Sequence, residues 1–577
     1  MSAHQLITDH LDLWTQAVTQ KSTAGRGSNG KVELTGIKKL RELILELAVR
    51  GKLVEQDAND EPASVLLERI EEEKTRLAKE GKIKKPKKQL PDTLGDENLF
   101  SLPYGWQWAS IACTGIASTG KTPSTKIKSF FDGDIPFIGP GQITPSGRIN
   151  TPDKFISEEG ILESDEALPG DIVVVCIGGS IGKCAKVQER CGFNQQINKI
   201  RPMLVHSDYL LSALSTDFIQ KTILEKSTGS ATPIINRSKW ESICIPLPPI
   251  NEQHRIVQKA DELMALCDRL EQHTSNQLDA RETLVVTLLG TLTQSANATE
   301  LADNWALLAE HFDTLFTTEQ SIDKLKQTIL QLAVMGRLVE QDDGDEPAEQ
   351  LIERIATQKA ETGNGKRRAS KPPKSSTAGS QPFQIPSTWA WMPLRKTGIT
   401  STGKTPSTKN ASFFSGNIPF IGPGQVTAAG KINTPEKHLS EEGILQSEEA
   451  LSGDILTVCI GGSIGKTAIV TERCGFNQQL NKIRPVLVEP SYLLAAINAD
   501  FFQHSIREKA TGSATPIINR SKWESIAIPL APLAEQRRIV QKVDELMALC
   551  DRLKQRLTQA SDTRCQLAGA VVEQAIN

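Results

Sequence analysis

The chain has 577 residues, of which 38% are hydrophobic and 23% are charged, and its formal net charge is −3. The length and the mixture are typical of a folded chain with more than one domain. The net charge excludes a basic field over the whole protein that would hold it on nucleic acid. No apolar run approaches the roughly 18 residues of a membrane span, and the opening residues, MSAHQLITDH, show no secretory signal. We therefore expect a cytoplasmic protein.

The first predicted element is an amphipathic helix with one apolar stripe, which consists of Ile37, Leu40, Ile44 and Leu47. Gly51 stands where a glycine ends a helix. A basic, proline-containing segment, KEGKIKKPKK, follows at residues 79–88. Two interpretations of this segment stay open, a flexible linker and an arm that contacts phosphates.

Residues 100–250 form the first predicted module. Short apolar runs end at glycine or proline and predict strands at Ile135–Ile138, Ile172–Ile177 and Ile243–Leu247. A helical pattern covers Ser207–Lys226. This alternation predicts a mixed α/β module.

A long helix with a coiled-coil seam is predicted after the module. Its apolar positions are spaced 4, 3, 4 and 3, as in the a/d stripe of a coiled coil: Ile256, Ala260, Leu263, Cys267 and Leu270. About 40 helical residues would span about 60 Å. We expect this helix to act as a spacer.

The second half of the chain repeats the first at an offset of 283. TGKTPSTK returns at Thr402–Lys409 and CIGGSIGK at Cys459–Lys466, and about three positions in four match across the module. The repeat predicts a second module at residues 381–533. The flanking elements return as well. The seam (Ile539, Val543, Leu546, Cys550, Leu553) keeps the offset of 283, whereas the short stripe (Ile322, Leu325, Ile329, Leu332) and Gly336 return at an offset of 285. The basic segment returns at residues 365–374.

The order of the repeats is circular. The centre of the chain carries a complete helical unit, whereas the C-terminus has only its first half and the N-terminus only its second half. We therefore predict a mixed α/β protein with two similar domains, separated by long antiparallel coiled-coil helices and related by a pseudo-two-fold. The predicted segments are residues 1–99, 100–250, 251–380, 381–533 and 534–577.

Three motifs invite a catalytic interpretation. Gly115–Thr122, GIASTGKT, and its repeat at Gly398–Thr405 match the P-loop expression, but a proline follows each at once and no helical period continues, so a loop is favoured. FIGPG at Phe137–Gly141 resembles a methyltransferase loop but lacks a parallel βαβ context. Cys176, Cys184 and Cys191 lack a metal-ligand or catalytic set that both modules share, which favours core thiols.

What remains is a set of hydrogen-bonding loops. Asn and Gln suit adenine edges, Arg and Lys suit guanine edges, and Ser, Thr and Lys suit phosphates, although any one of these residues could belong to an ordinary turn. The candidate DNA-binding residues are Thr119, Lys121, Ser124, Lys126, Lys183, Asn194, Gln195, Gln196, Asn198, Lys199, Ser230, Thr232, Asn236, Arg237 and Lys239 in the first module, and Thr402, Lys404, Ser407, Lys409, Lys466, Asn477, Gln478, Gln479, Asn481, Lys482, Ser513, Thr515, Asn519, Arg520 and Lys522 in the second.

These features resemble the specificity subunit of type I restriction-modification enzymes, in its longer-subunit branch. The resemblance rests on the circular layout, on PLPPINEQHRIV and PLAPLAEQRRIV, on LAVRGKLVEQD, and on the TGKTP, GGSIGK and GSATPIIN loops. It implies two target recognition domains that each read half of a bipartite DNA site. It also implies helical regions that dock two methyltransferase subunits, with restriction and translocase subunits completing the complex.

The resemblance further implies a chain without catalysis or cofactor of its own, because S-adenosylmethionine, ATP and Mg²⁺ belong to the partner subunits. One departure stands out, since the family's two domains usually differ strongly and these are near copies. Near-identical modules in circular order predict two similar half-sites in inverted orientation. The alternatives are an ATP-binding protein with a duplicated P-loop and a structural coiled-coil adaptor.

Overall fold

A computed structural model describes residues 3–20, 32–83, 100–295, 298–362, 381–428, 430–512 and 515–576. The chain divides into two compact units. Unit 1 contains the described residues of 1–276 and 561–577, and unit 2 contains those of 277–560. Residues 100–250, called module 1, lie in unit 1, and residues 381–533, called module 2, lie in unit 2. The predicted mixed α/β class with two similar sheet-containing domains and long helices is confirmed. The five segment boundaries stay predictions.

The described N-terminal region is mainly helical. Its elements are α1 (Ala3–Asp9), α2 (Leu11–Gln16), β1 (Thr19–Gln20), β2 (Val32–Glu33), α3 (Thr35–Val49) and α4 (Ala63–Lys79). The predicted stripe of α3 is buried. Gly51 follows the helix with φ of 64°, and the N–H of Lys52 donates back to the carbonyl of Leu47 at 2.9 Å. The predicted glycine stop is thereby confirmed.

Module 1 alternates short strands with short helices. In chain order its elements are β3 (Gln107–Ser110), β4 (Gly115–Thr119), β5 (Ile135–Ile138), β6 (Phe155–Ile156), α5 (Glu158–Glu163), β7 (Asp165–Ala167), β8 (Ile172–Val175), β9 (Cys184–Lys186), β10 (Cys191–Phe193), β11 (Ile197–Pro202), α6 (Ser207–Ser215), α7 (Asp217–Lys226), α8 (Arg237–Glu241) and β12 (Cys244–Leu247). Short 3₁₀ turns stand at Ile111–Thr114 and Lys128–Phe131.

Three sheets build module 1, with strand orders β6-β5-β10-β7, β4-β11-β8-β9 and β12-β3. The central strand β8 is buried on both faces, which explains its uninterrupted apolar sequence. Ile172 and Val174 pack in the core that includes Tyr209 of α6, whereas Val173 and Val175 pack in a second core with Phe193 of β10. The second sheet therefore lies between the helices and the first sheet.

The middle of the chain is helical, with α9 (Ile250–Gln294), α10 (Ala298–Glu310), α11 (Phe312–Leu315), α12 (Glu319–Val334) and α13 (Ala348–Thr362). Module 2 then repeats module 1 with β13 (Ala390–Pro393), β14 (Gly398–Thr402), β15 (Ile418–Ile421), β16 (His438–Leu439), α14 (Glu441–Gln446), β17 (Glu448–Ala450), β18 (Ile455–Val458), β19 (Thr467–Ile469), β20 (Cys474–Phe476), β21 (Leu480–Pro485), α15 (Pro490–Asn498), α16 (Asp500–Lys509), α17 (Arg520–Trp523) and β22 (Ala527–Leu530). Helix α18 (Leu533–Ile576) follows. The three sheets of module 2 have the same strand order as those of module 1.

The predicted seams are helical, and each packs against a shorter helix of its own unit. Ile256 and Leu263 of α9 lie in one core with the stripe of α3, and Arg41 of α3 forms ion pairs with Asp268 at 2.5 Å and Glu271 at 2.7 Å. In unit 2 the seam of α18 shares a core with the stripe of α12. The described partner of each seam is therefore the repeated short helix. The antiparallel pairing of the long helices and the pseudo-two-fold stay predictions.

The end of the chain completes unit 1. Ala568 and Val572 of α18 are buried in the core that contains α3, and Lys52 Nζ donates to the carbonyl of Ile576 at 2.9 Å. The equivalent contact in unit 2 is made by Arg337, which donates to the carbonyl of Thr293 near the end of α9. The N- and C-terminal segments together thus rebuild the helical arrangement found at the centre of the chain, as the circular order predicts.

Repeated motifs also dock the helical regions on the modules. In unit 1, Trp106 Nε1 donates to Glu252 Oε2 at 2.9 Å and Gln56 Nε2 donates to Glu252 Oε1 at 3.2 Å. In unit 2, Trp389 Nε1 donates to Glu535 Oε2 at 2.8 Å. In each unit a glutamate at the start of the long helix therefore accepts from a tryptophan of the module.

Candidate nucleic-acid interface

Two of the predicted loops meet at one end of the sheets in module 1. Strand β4 ends at Thr119, next to Asn198 near the start of antiparallel β11. The N–H of Gly120 donates to the carbonyl of Ile197 at 3.0 Å, and the N–H of Lys121 donates to the carbonyl of Phe193 at 3.1 Å. A Cβ on Gly120 would lie 2.3 Å from the carbonyl oxygen of Asn194. Only glycine fits this contact between the TGKTP and NQQ loops.

A third loop joins them through the parallel pair β5 and β10. The N–H of Asn194 donates to the carbonyl of Ile138 at 3.2 Å, at the end of β5. Gln142 Oε1 then accepts from the N–H of Gly139 at 3.0 Å, which shapes the GPGQ turn. The sequence pointed to this segment only as a methyltransferase-like loop, and its proximity to Asn194 was missed. The signal that could have found it is the exact repetition of IPFIGPGQ in module 2.

The GGSIGK and GSATPIIN loops lie beside the NQQ loop. Ile177 forms an antiparallel bridge with Ile234, and the N–H of Gly178 donates to the carbonyl of Pro233 at 2.9 Å. The N–H of Cys176 donates to the carbonyl of Gln196 at 2.8 Å. Five loops are therefore assembled at one end of the module, called the loop face: TGKTP, GPGQ, GGSIGK, NQQ and GSATPIIN.

Two groups of the predicted DNA-binding side chains serve the protein framework. Asn198 is 2% exposed and accepts from Thr119 Oγ1 at 2.8 Å. Lys199 is 7% exposed, and its Nζ lies 3.0 Å from Asp165 and 5.7 Å from the centre of the Phe193 ring. The equivalents Asn481 and Lys482 are buried in the same way. Because these four side chains are inside the modules, they do not belong to an exposed loop face.

Asn236 has a defined local role as well. Its side chain accepts from the N–H of Lys239 at 2.9 Å and caps the N-terminus of α8. The cap presents Arg237 and Lys239 at the surface, where Arg237 Nε lies 3.1 Å from Glu241 and Lys239 Nζ lies 3.4 Å from the carbonyl of Lys226. Both cations remain exposed.

The remaining candidates divide by exposure. Half-buried side chains are Thr119, Lys183, Asn194, Gln196, Asn477 and Gln479. Exposed side chains are Lys121, Ser124, Lys126, Gln195, Ser230, Thr232, Asn236, Arg237 and Lys239 in module 1, and Thr402, Lys404, Ser407, Lys409, Lys466, Gln478, Thr515, Asn519, Arg520 and Lys522 in module 2. Ser513 and the basic segments from Lys84 to Lys88 and from Gly365 to Lys374 lie outside the described residues. The exposed set supplies cations, hydroxyls and amides, which are the groups that contact phosphates and base edges.

Module 2 reproduces the framework of the loop face. Thr402 Oγ1 donates to Asn481 at 2.8 Å and Thr405 Oγ1 donates to Gln478 at 2.6 Å, and in module 1 Thr122 Oγ1 donates to Gln195 at 2.7 Å. Asn519 caps α17 as Asn236 caps α8. The two modules therefore present nearly the same surface chemistry.

The P-loop interpretation is wrong, and the loop predicted for Gly115–Thr122 is found only after Thr119. Gly115–Thr119 form strand β4, which pairs with β11 over its whole length, whereas the corresponding residues of a P-loop wrap phosphates. The amide of Lys121, which would face a phosphate there, donates to the carbonyl of Phe193. Gly398–Thr402 form the equivalent strand β14.

Cys176, Cys184 and Cys191 of module 1 are buried core thiols. Burial raises the pKa of Cys176 and of Cys191 to about 12 and that of Cys184 to about 11. These thiols are protonated at neutral pH and are poor nucleophiles. Within the described residues, no cluster of His, Cys, Asp or Glu could hold a metal ion.

Comparison with known proteins identifies the family. The family described as type I restriction modification DNA specificity domain matches residues 107–280 and 386–560. The chain belongs to the type I restriction-modification specificity subunits. It is 39% identical over 609 residues to the specificity subunit of the type I restriction enzyme EcoAI and 37% identical over 605 residues to that of EcoEI, both from Escherichia coli, with 100% of each chain covered.

A solved structure supports the fold. It is described as the structural basis of complex assembly and conformational transition of the type I restriction-modification system. One of its chains has a TM-score of 0.53 and 19% identity, and the match covers 83% of this chain and 99% of that one. This likeness extends over both units and concerns the fold alone.

Membership of the family gives the chain its role. Specificity subunits are the non-catalytic DNA-recognition components of type I restriction-modification complexes, so this chain is a DNA sequence specificity subunit that acts with DNA and with other subunits. None of the helices that the structure describes has the length and apolar composition of a membrane span.

Proposed function

We propose that the loop face of each module reads one half of a bipartite, nearly palindromic site in double-stranded DNA. The observation that carries this proposal is the repetition of one loop framework in two modules. The Thr119–Asn198 and Thr402–Asn481 hydrogen bonds have the same length, 2.8 Å. Frameworks that match at this level present the same exposed residue types to a duplex, and similar chemistry selects similar bases.

Recognition is divided among the exposed residues of the loop face, Lys126 just after the TGKTP loop, and Arg237 and Lys239 of α8. Lys121, Lys126, Lys239 and their equivalents contact phosphates and set the register of the module on the duplex. Gln195, Arg237 and their equivalents reach base edges. The half-buried residues, such as Asn194, hold the loops. This assignment places the positive charge that the chain lacks globally on two local surfaces.

The half-sites lie in inverted orientation and are separated by roughly one turn of the duplex. The circular order of the sequence repeats supports the inversion, because it places equivalent helices before and after each module. The lengths of α9 and α18 support the separation, since a helix of 45 residues spans more than one turn of B-DNA, about 34 Å.

The chemistry of the complex belongs to partner subunits in this proposal. Two methyltransferase subunits dock on the helical regions, and restriction and translocase subunits complete the assembly. S-adenosylmethionine, ATP and Mg²⁺ act on those partners. The buried, protonated thiols and the strand at the P-loop expression support a chain that recognises DNA without transforming it.

Mapping of methylated bases in DNA from cells that carry the complete system tests the proposal. We expect one interrupted motif with two similar, inverted halves. Two unrelated half-sites, or two halves in direct repeat, would contradict it. A chain that binds no duplex when assembled with its methyltransferase would instead be a structural adaptor.

A further inference from the structure

The two loop faces differ in charge at one position that contacts a candidate lysine. The C-terminal end of α5 lies against the TGKTP loop, where Ser164 Oγ donates to the carbonyl of Lys121 at 2.8 Å. The preceding residue, Glu163, places its carboxylate 3.1 Å from Lys121 Nζ. Both side chains are more than half exposed. The carboxylate thus sits at the edge of the proposed DNA surface.

Module 2 has the same backbone arrangement without this charge. Ser447 Oγ donates to the carbonyl of Lys404 at 2.8 Å, but the residue before it is Gln446. Within the part of the chain that the structure describes, Lys404 Nζ has no carboxylate partner. The lysine of the TGKTP loop is therefore paired with a carboxylate in module 1 but not in the described part of module 2.

Substitutions at the far end of the segment that begins with the TGKTP loop, before the start of β5, also make module 2 less acidic. The segment from the TGKTP loop to the start of β5 packs on α5 through its 3₁₀ turn, where the N–H of Ser157 donates to the carbonyl of Phe130 at 3.0 Å. In module 1 this segment carries exposed Asp132 and Asp134, which are Ser415 and Asn417 in module 2. Its one opposing change is Lys128, which is Ala411 in module 2. Module 2 is the less acidic of the two.

A carboxylate beside a phosphate-contacting lysine weakens DNA binding in two ways. It competes for the ammonium group, which must leave an ion pair before it meets a phosphate, and it repels the phosphate directly. The ion pair itself contributes little in solvent. The repulsion persists in the complex, so this lysine contributes less binding free energy and releases fewer counterions than a lysine without a neighbouring carboxylate.

We infer that the two modules bind the DNA backbone unequally, with module 2 holding its half-site more tightly because Gln446 replaces Glu163. This inference rests on the proposed reading of one half-site by each module. It assigns Glu163 as a residue that lowers the affinity of module 1 for its half-site. The base sequence of the site can be nearly symmetric while the binding energy is not.

The test is a reciprocal exchange, Glu163→Gln and Gln446→Glu, in the full-length chain assembled with its methyltransferase subunits. Each variant introduces a residue that already occurs at the equivalent position of the other module, so the fold tolerates it. The probes are three duplexes: the mapped methylation site, and two derivatives in which one half-site or the other is scrambled. Glu159→Gln is the control, because it makes the same charge change on α5 and Glu159 is absent from the described contacts of Lys121.

We expect Glu163→Gln to tighten binding by about three- to tenfold at low salt and to steepen the slope of log K against log salt by up to about 0.9. The gain appears on all three duplexes, because a phosphate contact carries no base sequence. Gln446→Glu weakens binding by a similar factor and flattens the slope, again on all three duplexes. Glu159→Gln changes neither quantity appreciably.

Unchanged binding by both reciprocal variants, weaker binding by Glu163→Gln, or equal wild-type affinities for the two scrambled duplexes would overturn the inference while the proposed function stands. Failure of the wild-type complex to prefer the mapped site over a fully scrambled duplex would remove the proposed function itself. The two failures are therefore distinguishable in one set of titrations.

Discussion

Glu252 is a buried carboxylate that joins side chains from two other segments of the chain. It is 1% exposed, and it accepts hydrogen bonds from Trp106 and Gln56. Burial raises its pKa, and these two hydrogen bonds oppose the rise. Glu535 is in the same position in unit 2, with its pKa raised for the same reason. Each glutamate couples a helical region to its module through the indole N–H.

Loss of this acceptor should destabilise unit 1. Glu252→Ala leaves the Trp106 N–H and the Gln56 amide without their partner, at a cost of about 1–3 kcal/mol in the free energy of unfolding. Glu252→Gln keeps an acceptor oxygen for Trp106 and should cost less. Urea unfolding midpoints measure both variants, and exposed Glu159→Ala should stay within about 0.5 kcal/mol of wild type. Equal costs for the Ala and Gln variants would argue against the hydrogen bond as the cause.

The same carboxylate should make stability depend on pH. Since the pKa of Glu252 is higher in the folded than in the unfolded chain, the folded state binds more protons between the two values, and stability falls as pH rises through the folded pKa. Glu252→Gln removes this component. The difference in unfolding free energy between wild type and Glu252→Gln, measured from pH 4 upwards, should therefore shift against wild type as pH rises. A pH-independent difference would show that the carboxylate does not titrate with folding.

Arg237 and Lys239 allow phosphate contact to be separated from base reading. If Lys239 contacts a phosphate, Lys239→Ala should weaken binding to all duplexes and flatten the slope of log K against log salt by about 0.9. If Arg237 reads a base, Arg237→Ala should cost about 1–3 kcal/mol at one half-site only. Filter-binding titrations at several salt concentrations measure both, with Lys259→Ala on α9 as the control. Unchanged affinity at every salt concentration would place α8 outside the interface.

The backbone of the loop face followed from the repeat, but the roles of single side chains did not. Loops at strand ends were predicted from glycine, proline and apolar runs. The burial of Lys199 could not be predicted from the sequence. Its partner Asp165 is 34 residues away on β7, and the pairing depends on how two sheets stack. Asn236 was predicted as a DNA contact, whereas its cap on α8 depends on where the helix begins. Long-range packing decides both cases.

At the scale of elements, the seam of α9 packs against α3, and this contact was only half predictable. The 4-3 spacing indicates which face of α9 is buried. It does not identify the partner, since any helix with a matching stripe can cover that face. In unit 1 the choice of α3 as the partner of α9 is supported by the ion pairs of Arg41 with Asp268 and Glu271. In unit 2 the pairing of α12 with α18 is supported in the same way by the ion pairs of Lys326 with Asp551 and of Lys554 with Asp323.

Shortening a buried side chain of this seam should lower the free energy of unfolding. Leu263 is 2% exposed in the core that contains α3, and Leu263→Ala should lower the free energy of unfolding by about 2–5 kcal/mol. Leu549→Ala is the matched control, because Leu549 lies on the equivalent helix α18 and is 47% exposed. It should change stability by less than about 0.5 kcal/mol. Chemical denaturation of both variants measures the difference, and similar costs would refute the seam assignment.

At the scale of the whole molecule, unit 1 is discontinuous whereas the described part of unit 2 is one stretch of chain. Deletion of residues 561–577 removes Ala568 and Val572 from the core of unit 1. We expect α3 to lose protection in hydrogen–deuterium exchange while α12, its counterpart in unit 2, keeps it. Because both helices are read in one experiment, α12 serves as the internal control. Full protection of α3 in the truncated chain would show that the closing segment is dispensable.

The closing contact between Lys52 and Ile576 joins residues that are 524 positions apart. During synthesis on the ribosome, all described residues of unit 2 are made before residues 561–576 of α18. Helix α3 is made near the start of synthesis, but the part of α18 that packs on it is made after unit 2. The core of unit 1 is therefore completed after that of unit 2. Until then the apolar stripe of α3 and part of the α9 seam are incompletely covered, and such surfaces are what chaperones and proteases detect. A translation product that stops before residue 561 would leave these surfaces exposed.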